Sequence, residues 1–359
     1  MTSTSRPRLF KFPSSRSFIK APGFDSFKPN VPSRITPRLH PKTNEVISRV
    51  DEWFLKHWPF PNEAAREEFQ SSDIALFTCY TMPDALNERI ELACKMVNLM
   101  FLFDDVMDNW SIEEAQGFYK KFAELILGDD DVHPVTQLEK LLYGLFAEIR
   151  GIGTLGQDFC EEVIRWFKLA ASHARPQWKS SGDILEYCEY RIVDAGFWLT
   201  VSMIRCAMDL QHPQRDDQVV SECEHLAGYH AMLINDLFSY RREVSRTSAG
   251  EVGAALINSI LVVQNSRGIE EQEAMMWLES YCETLEGQFE EVASTTTHLG
   301  EDANSPYAHN LLFLALYSTQ PIYPLYTPSW HTFMDEGHHT PPPPPNGFVL
   351  RPHPASTAD

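Results

Sequence analysis

Between about residue 43 and residue 296, apolar side chains return every three or four positions, and no stretch alternates as a strand would. The pattern is plain in TNEVISRVDEWFLKHW, TQLEKLLYGLFAEIR, CEEVIRWFKLAASH and IEEQEAMMWLESYCETLEGQFEEV. Residues at that spacing share one face of a helix. A chain of 359 residues with 43% hydrophobic content can bury a sizeable core. With no internal repeat, it is expected to form one all-α domain of about ten helices. Start signals support this: Ser111 and Glu114 stand at capping-box spacing. Asp84 after Pro83 predicts the start of the helix that runs into an acidic stretch.

The flanks read differently. Residues 1–42 are rich in Pro, Ser, Arg and Lys, with Asp25 their only acid. This weakly resembles a transit peptide, but an irregular arm lying over the main domain is the expectation. From about residue 297 the chain changes character: TPPPPP at 340–345 cannot be helical, and Arg351 is the only basic residue after Arg267. The end of the chain, from about residue 330, is expected to be disordered.

Composition narrows the function. Acidic residues outnumber basic ones 50 to 30, for a net charge of −20. No basic patch marks a nucleic-acid binder. An anionic substrate would need metal cations or a few placed arginines to reverse the local sign. The seven cysteines (Cys79, Cys94, Cys160, Cys188, Cys206, Cys223 and Cys282) form no CxxC pair. An odd, scattered set suits reduced thiols in a cytoplasmic protein. No apolar run reaches the roughly 18–20 residues of a membrane span, and the chain shows no secretory apolar region at its start.

Two stretches carry chemistry. In LFDDVMDNW, residues 102–110, three carboxylates end the apolar run KMVNLMF. Buried carboxylates without partners are costly. On a helix Asp104 and Asp108 lie about 40° apart, a spacing that can chelate a hard cation through oxygen. A solvated helix end would look the same. In NDLFSYRRE, residues 235–243, Asn235, Ser239 and Glu243 stand at i, i+4 and i+8 on one stripe. Their amide, hydroxyl and carboxylate oxygens suit Mg²⁺. The alternative, a polar surface stripe, fits poorly with the flanking YHAMLI. Ala231, Ala227 and Gly228 lie above the stripe and are expected to leave room there. Arg242 stands beside Glu243, where it can meet an anion held by the metal.

A third stretch, YRIVDAGFW at 190–198, puts Arg191 in a largely buried helix. A buried Arg needs an anionic partner. Asp194, one turn on, fits that structural part as well as a substrate would. GDDDVHP (Asp129–Asp131) reads as a loop, and RDDQVV (Asp216, Asp217) has Val220 where a third acid would be needed. The sequence contains no DxDD element, no HxxxH pair and no Gly-rich phosphate loop.

FDDVMD followed by NDLFSYRRE in a helical chain resembles the class I terpene synthases, and fungal and bacterial sesquiterpene cyclases in particular. The resemblance covers about residues 40–295. The second motif separates it from chain-elongating prenyl synthases, whose second site is again DDxxD. It implies a single-domain helical bundle with a central apolar cavity, the two motifs facing each other across its mouth. It also implies an isoprenyl diphosphate substrate, farnesyl diphosphate for a domain of this length. By the family pattern Asp104 and Asp108 bridge two Mg²⁺ ions, and Asn235, Ser239 and Glu243 hold a third. Arg191 takes the place of the diphosphate-sensing arginine, Asp194 of its linker and Arg242 of the basic residue of the second motif. Phe101, one turn before Asp104, is the best-placed aromatic to face a carbocation; Phe197, Trp198 and Tyr80 are expected to be packing residues. Two departures stand out. Ala195 occupies the effector position where Gly is usual, with Gly196 following, and no Arg-Tyr pair occurs after Glu243. The second opens an alternative: a diphosphate-binding relative with weakened or no activity. A prenyltransferase is the other.

Overall fold

Described residues of this computed structural model run 39–60, 62–72, 74–107, 112–128, 132–171, 183–210, 218–248 and 257–294, and every regular element among them is an α-helix. In chain order these are α1 (Thr43–His57), α2 (Glu63–Ser71), α3 (Ile74–Thr81), α4 (Ile90–Met107), α5 (Ile112–Leu127) and α6 (Gln137–Arg150). They continue as α7 (Thr154–Ala171), α8 (Ile184–Asp194), α9 (Phe197–Met208), α10 (Gln218–Ser248), α11 (Ser259–Arg267) and α12 (Glu271–Ser294). The described residues thus hold two more helices than the ten expected. The fold is all-α, as the periodicity requires. In α1 the buried apolar positions are Val46, Val50 and Phe54, one turn apart. α6 buries Leu138, Leu141, Leu142, Leu145, Phe146 and Ile149. Its start is fixed reciprocally: the Thr136 hydroxyl accepts from the Glu139 amide, and the Glu139 carboxylate accepts from the Val135 amide at 2.7 Å.

The helix with the acidic stretch begins later than Asp84 predicts. Residues 82–89 form turns, and α4 starts at Ile90. The polar groups of this segment bond to distant partners. The Leu86 amide donates to the Ala207 carbonyl at 2.8 Å, and Arg89 donates to the Cys206 carbonyl at 2.7 Å and pairs with Asp209 at 3.0 Å. These bonds tie the entry of α4 to the end of α9. The Ser111 half of the expected capping box, both acidic decoys, residues 1–38 and residues 295–359 lie outside the described residues.

α4 packs on α1, α3, α6 and α9, whereas α10 packs on α8, α11 and α12. α9 also packs on α8, so α9 and α8 link the surroundings of the two motif helices. The acidic end of α4 is anchored by Phe103, the residue before Asp104, which is wholly buried. Its ring meets Trp58, Phe118, Phe122 and Phe167 at centroid distances of 5.9, 5.5, 5.2 and 5.6 Å. Aromatic pairs of this kind contribute about 0.5–1.5 kcal/mol each beyond their area burial. All seven cysteines are free and buried. No helix among the described residues is long and apolar enough to cross a membrane.

Candidate active site

The stripe on α10 forms as its spacing predicts. Ser239 is buried, with Asn235 and Glu243 half-buried one turn to either side. The Ser239 hydroxyl donates to Glu243 Oε1 at 2.5 Å. With its proton turned toward the carboxylate, the hydroxyl keeps its lone pairs for another partner. Amide, hydroxyl and carboxylate oxygens on one helix face are a donor set that fits a hard divalent cation. Asp104 belongs to the last turn of α4 and Arg242 to α10; Asp108 lies outside the described residues.

Arg191, on α8, finds two carboxylates rather than one. Its Nη1 donates to Asp194 Oδ2 at 3.0 Å, and its Nε donates to Asp236 Oδ1 at 3.3 Å. Sequence reasoning misses Asp236, because it stands one residue off the stripe and the stripe describes one face only. The position is completely buried. Besides Arg191, Asp236 Oδ2 accepts from the Tyr187 hydroxyl at 2.5 Å and from the Ser259 amide at 2.9 Å. Burial pushes the Asp236 carboxyl above the usual range, the Arg191 guanidinium pulls it back, and the Glu243 carboxylate adds to the rise. Burial alone would lower the Arg191 pKa, but Asp236, Tyr187, Asp194 and Glu243 hold it well above its ordinary value. Arg191 is therefore a permanent cation at this site. Burial, with Asp236 next, keeps Tyr187 protonated, so it remains a donor. A buried Arg does require an acid; the acid buried with it is visible in NDLFSYRRE but can be assigned only by packing.

The break between α8 and α9 explains Ala195. That residue has φ −82° and ψ 3°, open to any side chain, and the left-handed residue is Gly196 at φ 70°. A Cβ on Gly196 would stand 2.9 Å from Trp166 Nε1, which donates to the Asp194 carbonyl at 3.4 Å. The break therefore needs glycine at 196, and Ala195 does not disturb it.

The expectation that small residues leave room above the stripe is overturned at Gly228. A Cβ there would lie 2.9 Å from Phe197 and 3.0 Å from Ile192. The missing side chain is filled by α8 and α9, and Ala227 and Ala231 are buried as well. At Gly228 the small residue lets helices approach instead of opening space. Phe197 and Tyr80 are buried packing residues, and Trp198 stands edge-on to Phe197 and His225. Phe101 is half-buried and meets Phe77 edge to face at 5.9 Å.

The helices define an all-α fold that carries a stripe of oxygen donors and an arginine held by acids, and comparison with known proteins names its family. Residues 95–288 match the family model described as terpene synthase family 2, C-terminal metal binding. The chain is 30% identical over 258 residues to the aristolochene synthase of Aspergillus terreus, spanning 71% of this chain and 79% of that protein. It is 29% identical to the (+)-aristolochene synthase of Penicillium expansum, over 71% of this chain and 76% of that one. The crystal structure of aristolochene synthase from Penicillium roqueforti superposes with a TM-score of 0.71 at 24% identity, covering 81% of this chain and 97% of that structure. The chain belongs to the terpene synthase family and has the all-α class I terpenoid fold. It is a terpene cyclase whose family carries a metal-binding domain, which makes a divalent metal its cofactor.

Proposed function

We propose that this terpene cyclase is an Mg²⁺-dependent sesquiterpene synthase: it ionises farnesyl diphosphate, cyclises the allylic carbocation and releases diphosphate. The observation that carries this reading is the stripe of Asn235, Ser239 and Glu243 on the same helix as Asp236, the carboxylate that holds Arg191. The names of the aristolochene synthase relatives support the sesquiterpene class.

Asp104 and Asp108 from one motif and Asn235, Ser239 and Glu243 from the other are the residues that would hold the metal, three ions by the family pattern. When bound, Mg²⁺ neutralises diphosphate and makes it a better leaving group. Arg191 binds and orients the anion. Its Nε and Nη1 are committed to Asp236 and Asp194, which fixes the plane of the guanidinium and leaves Nη2 for a diphosphate oxygen. Arg242 adds a second positive charge on α10, and Asp194 links Arg191 to the break before α9. The apolar cavity that the family pattern implies would exclude water, which would quench the cation, and Phe101 is the aromatic residue that would face it. The catalytic unit spans residues 43–296, flanked by an N-terminal arm and an atypical tail. Seven buried free thiols support a cytoplasmic location.

A second reading rests on the missing Arg-Tyr pair after Glu243: a relative that binds diphosphate with Mg²⁺ but turns over poorly or not at all. One assay separates the readings. Purified chain is incubated with farnesyl diphosphate and Mg²⁺, with and without isopentenyl diphosphate, and the volatiles are analysed. Cyclic hydrocarbon without the co-substrate supports the cyclase, and elongated product only with it would identify a prenyltransferase. Mg²⁺-dependent diphosphate binding with no product would identify the inactive relative.

A further inference from the structure

The start of α11 reaches back to the donor stripe. Asn258 is buried and precedes the helix with extended backbone, φ −149° and ψ 140°. Its Oδ1 caps the helix, accepting from the Ile260 amide at 3.0 Å. Its Nδ2 points the other way. It donates to Glu243 Oε2 at 3.1 Å and to the Asp236 main-chain carbonyl at 2.9 Å. The Ser239 hydroxyl holds Oε1 of the same glutamate, so both Glu243 oxygens have a fixed donor.

Capping alone does not explain an asparagine here. Aspartate or serine would cap α11 about as well, and neither supplies the N–H₂ group that Glu243 receives. An aspartate would set one carboxylate against another. The geometry points to Asn258 as a positioning residue for Glu243: its amide holds the carboxylate in the orientation that presents its remaining lone pairs to a divalent cation. The next residue acts on the same network, since the Ser259 amide donates to Asp236, the anchor of Arg191. The first turn of α11 thus sets the direction of both a candidate metal ligand and the acid behind the candidate anion-binding arginine. Outer partners of metal ligands commonly act in this way, and losing one costs about 10–100-fold in metal affinity or activity.

This inference rests on the metal reading of Asn235, Ser239 and Glu243, and its test separates the two. The full chain is compared with Asn258→Asp and Asn258→Ser, both of which keep a cap. Mg²⁺ is titrated in two measurements: the rise in melting temperature in the presence of inorganic diphosphate, and turnover of farnesyl diphosphate. The positioning role requires the Mg²⁺ midpoint to move up about 10–100-fold in Asn258→Asp. Asn258→Ser should move less, and excess Mg²⁺ should restore its turnover. Should Asn258→Asp fail to fold, Asn258→Ser decides. Unchanged midpoints, or a loss of turnover that no Mg²⁺ concentration restores, would overturn the positioning role. If the parent itself shows no rise with Mg²⁺ and diphosphate, the metal reading fails and the positioning role with it.

Discussion

Arg191 on α8 and Asp236 on α10 meet inside the protein, Nε donating to Oδ1 across 3.3 Å, with Asp236 wholly closed to solvent. The contact fixes the break-side end of α8 against the helix that carries the donor stripe. It also uses the arginine in two ways, as a bridge to Asp194 and as a cation kept charged by acids on both sides.

Removing Asp236 should therefore be strongly destabilising. Asp236→Ala leaves a largely buried guanidinium with one acid fewer, takes the shorter of two acceptors from the Tyr187 hydroxyl and removes the carboxylate that the Ser259 amide donates to. Breaking such a pair costs about 3–5 kcal/mol. Tyr187→Phe removes one donor to a carboxylate and should cost about 1.5–3 kcal/mol. Denaturant unfolding of both variants checks the order; equal losses would contradict it.

Two helical glycines should respond to alanine with opposite signs. At Gly228 a Cβ meets Phe197 and Ile192, so Gly228→Ala should cost about 1–3 kcal/mol. At Gly287 on α12 nothing lies within 4 Å of the added carbon, and Gly287→Ala should gain up to about 1 kcal/mol from helix propensity. Melting temperatures of the pair provide the comparison.

Stripping divalent metal should abolish product formation, and Mg²⁺ should restore it. Asp104→Ala and Asn235→Ala should each lose product even with Mg²⁺ present. Volatile analysis reads all of these, and unchanged product from both variants would remove the two motifs from the mechanism.

Stability should fall on mild acidification through His40. The Lys42 amide donates to His40 Nδ1 at 3.2 Å, so Nε2 carries the proton and donates to the Ala85 carbonyl at 3.0 Å. Burial holds the ring below its ordinary value of 6.5, the Ala85 carbonyl opposes, Lys42 lowers it further and Asp84 raises it slightly. The unfolded chain then binds the extra proton first. Stability is full above 6.5 and is lost as pH falls from there through the folded value. Melting temperature measured from pH 7.5 downward should drop more in the parent than in His40→Gln. Parallel curves would assign the acid loss to other groups.

Much of the fold and part of the site are legible in the amino-acid sequence. Periodicity alone requires the helices, because a period near 3.6 buries one face of a helix and nothing else. Asn235, Ser239 and Glu243 read as a stripe because one helix turn places them together without help from the rest of the chain. The Arg191–Asp194 bridge is readable for the same reason, three residues apart on α8. Two local expectations differ from the structure. Asp84 is a start signal for a helix that begins only at Ile90, because residues 84–89 are held by α9. Gly228 promises space that Phe197 and Ile192 occupy.

What the sequence determined by itself was therefore everything that repeats within one helix: the fold class, the donor stripe and the local salt bridge. Tertiary structure alone decided which groups from different helices meet. Asp236 became the anchor of Arg191, and Asn258 came to hold Glu243 from fifteen residues further along the chain. The physical reason is that spacing specifies direction around one helix axis. The partner across an interface depends on how whole helices pack, and no local pattern records that.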